Sequence, residues 1–154
     1  MTERDTGPEP DLMVSRTFKS SPERVFQAFT VAEEIAQWYG PQSVTTRVDA
    51  FEASAGAPFR FVMMSDEGNA YPVSGVIEEL DPPRRLVMSW AWEKGDYAGR
   101  ETRLILDFAA TADGGTALTL THELLADDEA SALHDQGWTS ALTALGAYLG
   151  ETTN

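Results

Sequence analysis

The spacing of apolar residues changes near residue 127, and this change limits the folds open to the chain. Before it, short segments alternate apolar and polar residues, which is typical of strands with one buried face. After it, apolar and aromatic residues recur at helical spacing over about six turns. This stripe consists of Ala130, His134, Gly137, Trp138, Ala141, Leu142, Leu145 and Leu149. A long helix of this kind must bury its stripe on the sheet that the strands form.

The alternating segments predict a sheet of about six to seven strands. They cover residues 12–18, 44–51, 59–63, 71–80, 86–92, 102–108 and 118–123. Turn sequences such as Asp113-Gly114-Gly115 separate them, which favours hairpins over parallel crossovers. We therefore predict an α+β fold in which a curved antiparallel sheet wraps around the C-terminal helix.

Two short helices are predicted directly after the first strand. Ser21 is a suitable N-cap, and Pro22 fits the first helical position. The second helix is predicted to begin at Thr30, where Glu33 is spaced to complete a capping box. That helix is expected to end within residues 38–41.

The composition excludes several classes of function. The chain has 25 acidic and 11 basic residues, a net charge of −14, which opposes binding to nucleic acid or to an anionic membrane surface. It has no Cys, so a thiol nucleophile, an iron–sulfur cluster and a disulfide scaffold are excluded. Beyond Arg103 there is no Lys or Arg. This acidic part is either a solvated face or a docking surface for a basic partner.

The 154 residues fit one domain. We predict a disordered tail over residues 1–11, where two prolines, a glycine and four acids show no apolar period, and one domain over residues 12–150. The N-terminus lacks an apolar signal segment, and no run approaches 18 apolar residues. A cytoplasmic protein with no membrane partner is therefore expected.

The predicted architecture leaves room for a ligand. A sheet curved around a single helix opens a gap near its ends, where a small apolar molecule can enter. The candidate ligand-binding residues are large side chains that face this gap, together with two inward histidines. They are Trp38, Phe59, Phe61, Met63, Trp90, Trp92, Leu104, His122, His134 and Trp138.

Several of these residues have a structural alternative. His122 and His134 are either polar contacts for a ligand, an acid–base pair, or core histidines that are hydrogen-bonded internally. The tryptophans are either core residues or a platform for a flat ligand. Arg16 lies on the inward face of the first strand, where it extends along the sheet edge or meets a ligand carboxylate. We predict no metal and no cofactor, and we assign no catalytic residue.

Six short motifs accompany this order of elements along the chain. They are RTFKSSPERVF at 16–26, WYGP at 38–41, GVIEELDPP at 75–83, LVMSW at 86–90, TALTLTHE at 116–123 and GW at 137–138. The motifs and the order of the elements together resemble the SRPBCC (START-like, helix-grip) superfamily. Within it, the chain resembles the C-terminal domain of the activator of heat-shock-protein-90 ATPase.

The resemblance implies the helix-grip fold and a shared cavity, but not one chemistry. It implies binding of a small hydrophobic or aromatic ligand such as a lipid or a polyketide-like metabolite. The alternatives are a cyclase or hydrolase that uses the cavity histidines, and a chaperone-associated protein of stress response. The expected partners are accordingly a small hydrophobic molecule, a chaperone, or a second copy of the chain in a homodimer.

Overall fold

The fold is described here from a computed structural model, for residues 12–39, 44–95, 97–125 and 127–151. The elements follow the predicted order. They are β1 (Leu12–Phe18), α1 (Pro22–Thr30), α2 (Ala32–Trp38), β2 (Val44–Ala50), β3 (Pro58–Ser65), β4 (Ala70–Asp81), β5 (Arg85–Trp92), β6 (Thr102–Ala110), β7 (Thr116–Glu123) and α3 (Asp128–Tyr148). The tail expected over residues 1–11 lies outside the described residues, whereas α2 ends at Trp38, within the range expected for its end.

All strands pair with their neighbours in antiparallel fashion. The seven-stranded sheet has the order β1-β7-β6-β5-β4-β3-β2, so the first and last strands of the chain are partners. The sheet curls into a half-barrel, and α3 packs against its inner face. This confirms the predicted α+β helix-grip architecture, with two short helices after β1.

The start of α1 is as predicted, but the start of α2 is not. The Ser21 hydroxyl accepts a hydrogen bond from the Arg24 backbone N–H at 3.2 Å and caps α1. The predicted capping box at Thr30 is wrong, because Thr30 still belongs to α1 and its hydroxyl donates back to the Phe26 carbonyl at 2.9 Å. Val31 is the N-cap of α2 and makes no side-chain capping bond.

Contacts at both ends of α3 fix it over the sheet. The Asp127 carboxylate accepts from the Ala130 N–H at 2.8 Å at the N-terminus. Just beyond the C-terminus, the Glu151 carboxylate accepts from the backbone N–H groups of Lys19 at 2.8 Å and Ser20 at 3.0 Å. No helix in the described ranges is long and apolar enough to cross a membrane.

Arg16 faces α3, as its parity in β1 predicts. Its Nη1 donates to the Thr143 hydroxyl at 3.4 Å, and its guanidinium lies 5.4 Å from the centre of the Phe18 ring. Gly146 makes room for it, since a Cβ at that position would lie 2.7 Å from the Arg16 Nη2. Arg16 therefore packs between strand and helix.

Candidate functional site

A cavity of about 380 Å³ lies between α3 and the half of the sheet that contains β2 to β5. Its walls are mainly aromatic and aliphatic. The lining residues are Tyr39, Val44, Met63, Tyr71, Trp90, Trp92, Lys94, Gly95, Tyr97, Leu133, His134, Gly137, Trp138 and Ala141. Pockets that bind small molecules in proteins have volumes of about 300–1,000 Å³ and similar linings. The cavity is thus at the smaller end of that range.

The structure divides the predicted site residues into two groups. Met63, Trp90, Trp92, His134 and Trp138 line the cavity. The other group lies in the packed core around it and comprises Trp38, Phe59, Phe61, Leu104 and His122.

The second group is kept from the cavity by its neighbours in the core. The Phe61 ring contacts the Tyr39 ring at a centroid distance of 4.8 Å, and Tyr39 in turn lines the cavity, so Tyr39 covers Phe61. The Trp38 indole N–H donates to the Ala28 carbonyl at 3.0 Å, and its ring packs on Phe29 at 4.7 Å. A residue on the inner face of the curved sheet therefore does not necessarily line the cavity.

Other lining residues were not among the predicted site residues. Tyr39 directly follows the predicted Trp38, and Gly137 and Ala141 were noted only as part of the helical stripe. Tyr71 and Leu133 are 41% and 52% exposed and stand at the mouth of the cavity. Exposed large apolar side chains can mark a binding site, but their exposure is visible only in the structure. The lining residues Lys94, Gly95 and Tyr97 carry no signal in the sequence either.

His122 is fully buried beside the cavity and has both ring nitrogens occupied. The Thr102 hydroxyl donates to the Trp90 carbonyl at 2.6 Å, so its oxygen is free to accept from the His122 Nε2 at 2.8 Å. The Trp138 indole N–H donates to the His122 Nδ1 at 3.1 Å. These partners define a neutral imidazole with its proton on Nε2.

His134 shows the opposite arrangement. Its Nδ1 lies 2.7 Å from the Ala130 carbonyl oxygen, which only accepts, so this nitrogen carries the proton. The Trp92 indole N–H donates to the His134 Nε2 at 3.1 Å. The rings of His122 and His134 are 5.2 Å apart and nearly perpendicular. The structure therefore brings the two predicted histidines together, as neutral groups with opposite tautomers.

Trp90 completes this set of internal hydrogen bonds. Its indole N–H donates to the Tyr39 hydroxyl at 3.2 Å. Each tryptophan of the cavity wall thus uses its only polar hydrogen within the protein. The Tyr39 hydroxyl oxygen accepts from Trp90, while its own hydrogen meets no acceptor among the described residues.

Burial determines the protonation of these groups. Loss of hydration, together with a smaller effect of the neighbouring His134, lowers the pKa of His122 to about 3. Burial also lowers the pKa of His134, against a smaller opposing effect of the Ala130 carbonyl. Burial raises the pKa of the Tyr39 hydroxyl, and the bond from Trp90 opposes this. All three groups are therefore neutral near pH 7.

The cavity wall is poor in charge. Among the lining residues that the structure describes, Lys94 is the one cation and none is acidic. Within the described ranges, no three side chains of His, Asp and Glu are grouped so that they could hold a metal ion. The described part of the site is thus suited to contacts with aromatic and aliphatic groups.

Comparison with known proteins identifies relatives over most of the chain. A family described as activator of Hsp90 ATPase homolog 1-like protein matches residues 19–150. The human activator of 90 kDa heat shock protein ATPase homolog 1 is 31% identical over 90 residues, which are 56% of this chain and 23% of that protein. The chain therefore spans about a quarter of the length of this curated relative.

Solved structures have the same fold. The AHSA1 protein of Silicibacter pomeroyi has a TM-score of 0.81 and 31% identity, with 90% of this chain and 96% of that chain covered. A protein of Chromobacterium violaceum has a TM-score of 0.80 and 21% identity, covering 88% and 94%. DynU16, from the dynemicin biosynthetic locus, has a TM-score of 0.72 and 21% identity, covering 90% and 46%. The last two show the fold alone.

Proposed function

The chain belongs to the family of activator of Hsp90 ATPase homolog 1-like proteins, and we propose that it binds a small hydrophobic or aromatic molecule in the cavity between sheet and α3. The observation that carries this proposal is the cavity itself. It has a volume of about 380 Å³ and opens to solvent beside Tyr71 and Leu133. Protein interiors are otherwise close-packed, so a concave apolar space of this size is the feature of the fold best suited to hold a small molecule.

The chemistry of the wall indicates what kind of molecule fits. Trp90, Trp92 and Trp138 present ring faces and edges, while their N–H groups are bound to Tyr39, His134 and His122. A ligand rich in hydrogen-bonding groups would lose its water without gaining partners. An aromatic or aliphatic body loses little and gains about 25 cal/mol for each Å² of apolar surface that it buries.

A neutral aromatic probe, methyl 2-naphthylacetate, tests this proposal. We expect it to bind the purified chain in calorimetry and to shift the indole ¹H–¹⁵N signals of Trp90, Trp92 and Trp138. The Trp38 signal serves as an internal control, because Trp38 lies outside the cavity lining. Equal shifts of all four signals, or no binding by this probe and by a panel of lipids and aromatics, would refute the proposal.

A pair of leucine substitutions on α3 locates the binding. Gly137 lines the cavity, so Gly137→Leu should fill it and abolish probe binding. Ala132 lies on the exposed side of the same helix, so Ala132→Leu adds the same side chain outside the cavity. Binding that survives Gly137→Leu would place the ligand elsewhere.

The histidine arrangement does not favour the enzymatic alternative, a cyclase or hydrolase. A general acid or base must exchange a proton near neutral pH. A proton on the His122 Nδ1 would face the Trp138 N–H, and a proton on the His134 Nε2 would face the Trp92 N–H. Both histidines therefore resist protonation, and they support the wall of a binding site better than a reaction.

The second candidate is a chaperone-associated role. The family match and the 31% identity with the human activator favour it, although the match covers 23% of that protein. An acidic chain of net charge −14 would dock through opposite charges. Capture of heat-shock protein 90 that weakens as salt increases would support this role, and capture insensitive to salt would contradict this electrostatic route.

A further inference from the structure

We infer that the ligand is an amphipathic anion, with an apolar body in the cavity and a carboxylate or similar acidic group at its mouth, held by Lys94. This inference rests on the proposed function and specifies the class of ligand. It starts from the distribution of charge around the cavity, which differs from that of the rest of the chain.

Among the described lining residues, one carries a charge, and that charge is positive although the chain as a whole is acidic. Lys94 is one of only two lysines, and it stands in the exposed loop after β5, at the mouth. An anionic group entering there would thus meet a cation, and none of the described lining residues would repel it with a carboxylate.

Lys94 also differs from the arginines of the sheet, because it has no ion-pair partner among the residues that the structure describes. Arg60 bridges Asp49 and Glu93, and Arg85 bridges Glu79 and Asp107 across neighbouring strands. Within the described part of the chain, the Lys94 ammonium forms no ion pair or hydrogen bond. It is therefore available to a group that comes from outside the protein.

The inner wall leaves the acidic group only one favourable place. The indole N–H groups and both histidines are already paired, so none of these described groups can donate to an acidic group deeper in the cavity. The Tyr39 hydroxyl, deep in the wall, offers a single neutral donor. A carboxylate would lose its hydration there without a countercharge, whereas at the mouth it keeps water and gains Lys94. The ligand should therefore enter with its apolar end first.

A matched series of probes tests this inference. 2-Naphthylacetate, its methyl ester and 2-(2-naphthyl)ethylammonium share one ring system and carry negative, zero and positive charge. We expect the carboxylate to bind about fivefold more tightly than the ester, the range of a partly exposed ion pair. The ammonium compound should bind most weakly, and the preference for the carboxylate should decrease at high salt.

The two lysines supply the variant and its control. Lys94→Met should remove the preference for the carboxylate, so that the carboxylate and the ester bind about equally. Lys19→Met makes the same change of net charge at an exposed site outside the cavity lining, and should keep the preference. A carboxylate-to-ester ratio unchanged in Lys94→Met, or reduced equally in Lys19→Met, would overturn the inference while ester binding still upheld the proposed function. If no probe binds, both fail.

Discussion

Acidification should destabilise this protein well before its carboxylates are protonated, because of His122. In the unfolded chain its pKa is about 6.5, whereas burial lowers it to about 3 in the folded protein. Below pH 6.5, His122 is therefore protonated in the unfolded state and remains neutral in the folded state. Stability is fully present above pH 6.5 and decreases by about 1.4 kcal/mol per pH unit as the pH falls toward 3.

Between pH 7 and pH 5 this difference amounts to about 2 kcal/mol for His122 alone. His134 acts in the same direction, since burial lowers its pKa as well. The carboxylates with lowered pKa values, such as Glu34 and Glu93, contribute only below about pH 4.5, where the unfolded chain begins to protonate them. The interval from pH 7 to pH 5 thus isolates the histidines.

Urea unfolding followed by far-UV circular dichroism at pH 7, 6 and 5 measures this effect. His122→Gln keeps a neutral amide in place of the imidazole, so its loss of stability between pH 7 and 5 should be about 2 kcal/mol smaller than that of the unmodified chain. His134→Gln is the matched variant. It removes the other buried imidazole and should also reduce the loss of stability between pH 7 and 5. A wild-type chain equally stable at pH 7 and 5, or an unchanged slope in His122→Gln, would refute the buried neutral imidazole.

Three further predictions follow from the hydrogen bonds. Tyr39→Phe should lower the free energy of unfolding in urea by about 1–3 kcal/mol, because it leaves the buried Trp90 N–H without an acceptor. Tyr71→Phe at the exposed mouth is the control and should change it by less than about 0.5 kcal/mol. Equal effects of the two substitutions would contradict the assigned bond. Long-range ¹H–¹⁵N spectra should show the proton of His122 on Nε2 and that of His134 on Nδ1, and one shared tautomer would show that the network is wrongly assigned. Glu151→Ala should cost about 1 kcal/mol, because it removes the acceptor for the Lys19 and Ser20 N–H groups, and a loss below about 0.3 kcal/mol would show that water replaces it fully.

The sequence was sufficient to predict the fold because the spacing of apolar residues and the turn residues reflect the local structure of each element. Alternation located all the strands, and the 3.6-residue stripe located α3, since each pattern reflects which face of one element is buried. The capping box at Thr30 was wrong because Thr30 had a competing partner one turn back, the Phe26 carbonyl. Such a choice between two local bonds is decided by where the preceding helix ends.

The cavity could be predicted only in part, because its lining depends on distances between elements. Parity within a strand puts Phe59, Phe61 and Met63 on one face, and only Met63 reaches the cavity. The partners of the histidines lie 16 and 42 residues away, in Trp138 and Trp92. No spacing rule connects them. The pairing of both histidines with indoles therefore became visible only in the structure.

The indole bonds have a consequence for how the cavity behaves when it is empty. Trp90 ties β5 to the end of α2, Trp92 ties β5 to α3, and Trp138 ties α3 to β7. Together these three bonds connect the elements that surround the cavity. A ligand that enters a wall already connected in this way has less of it to order, which leaves more of the contact energy for binding.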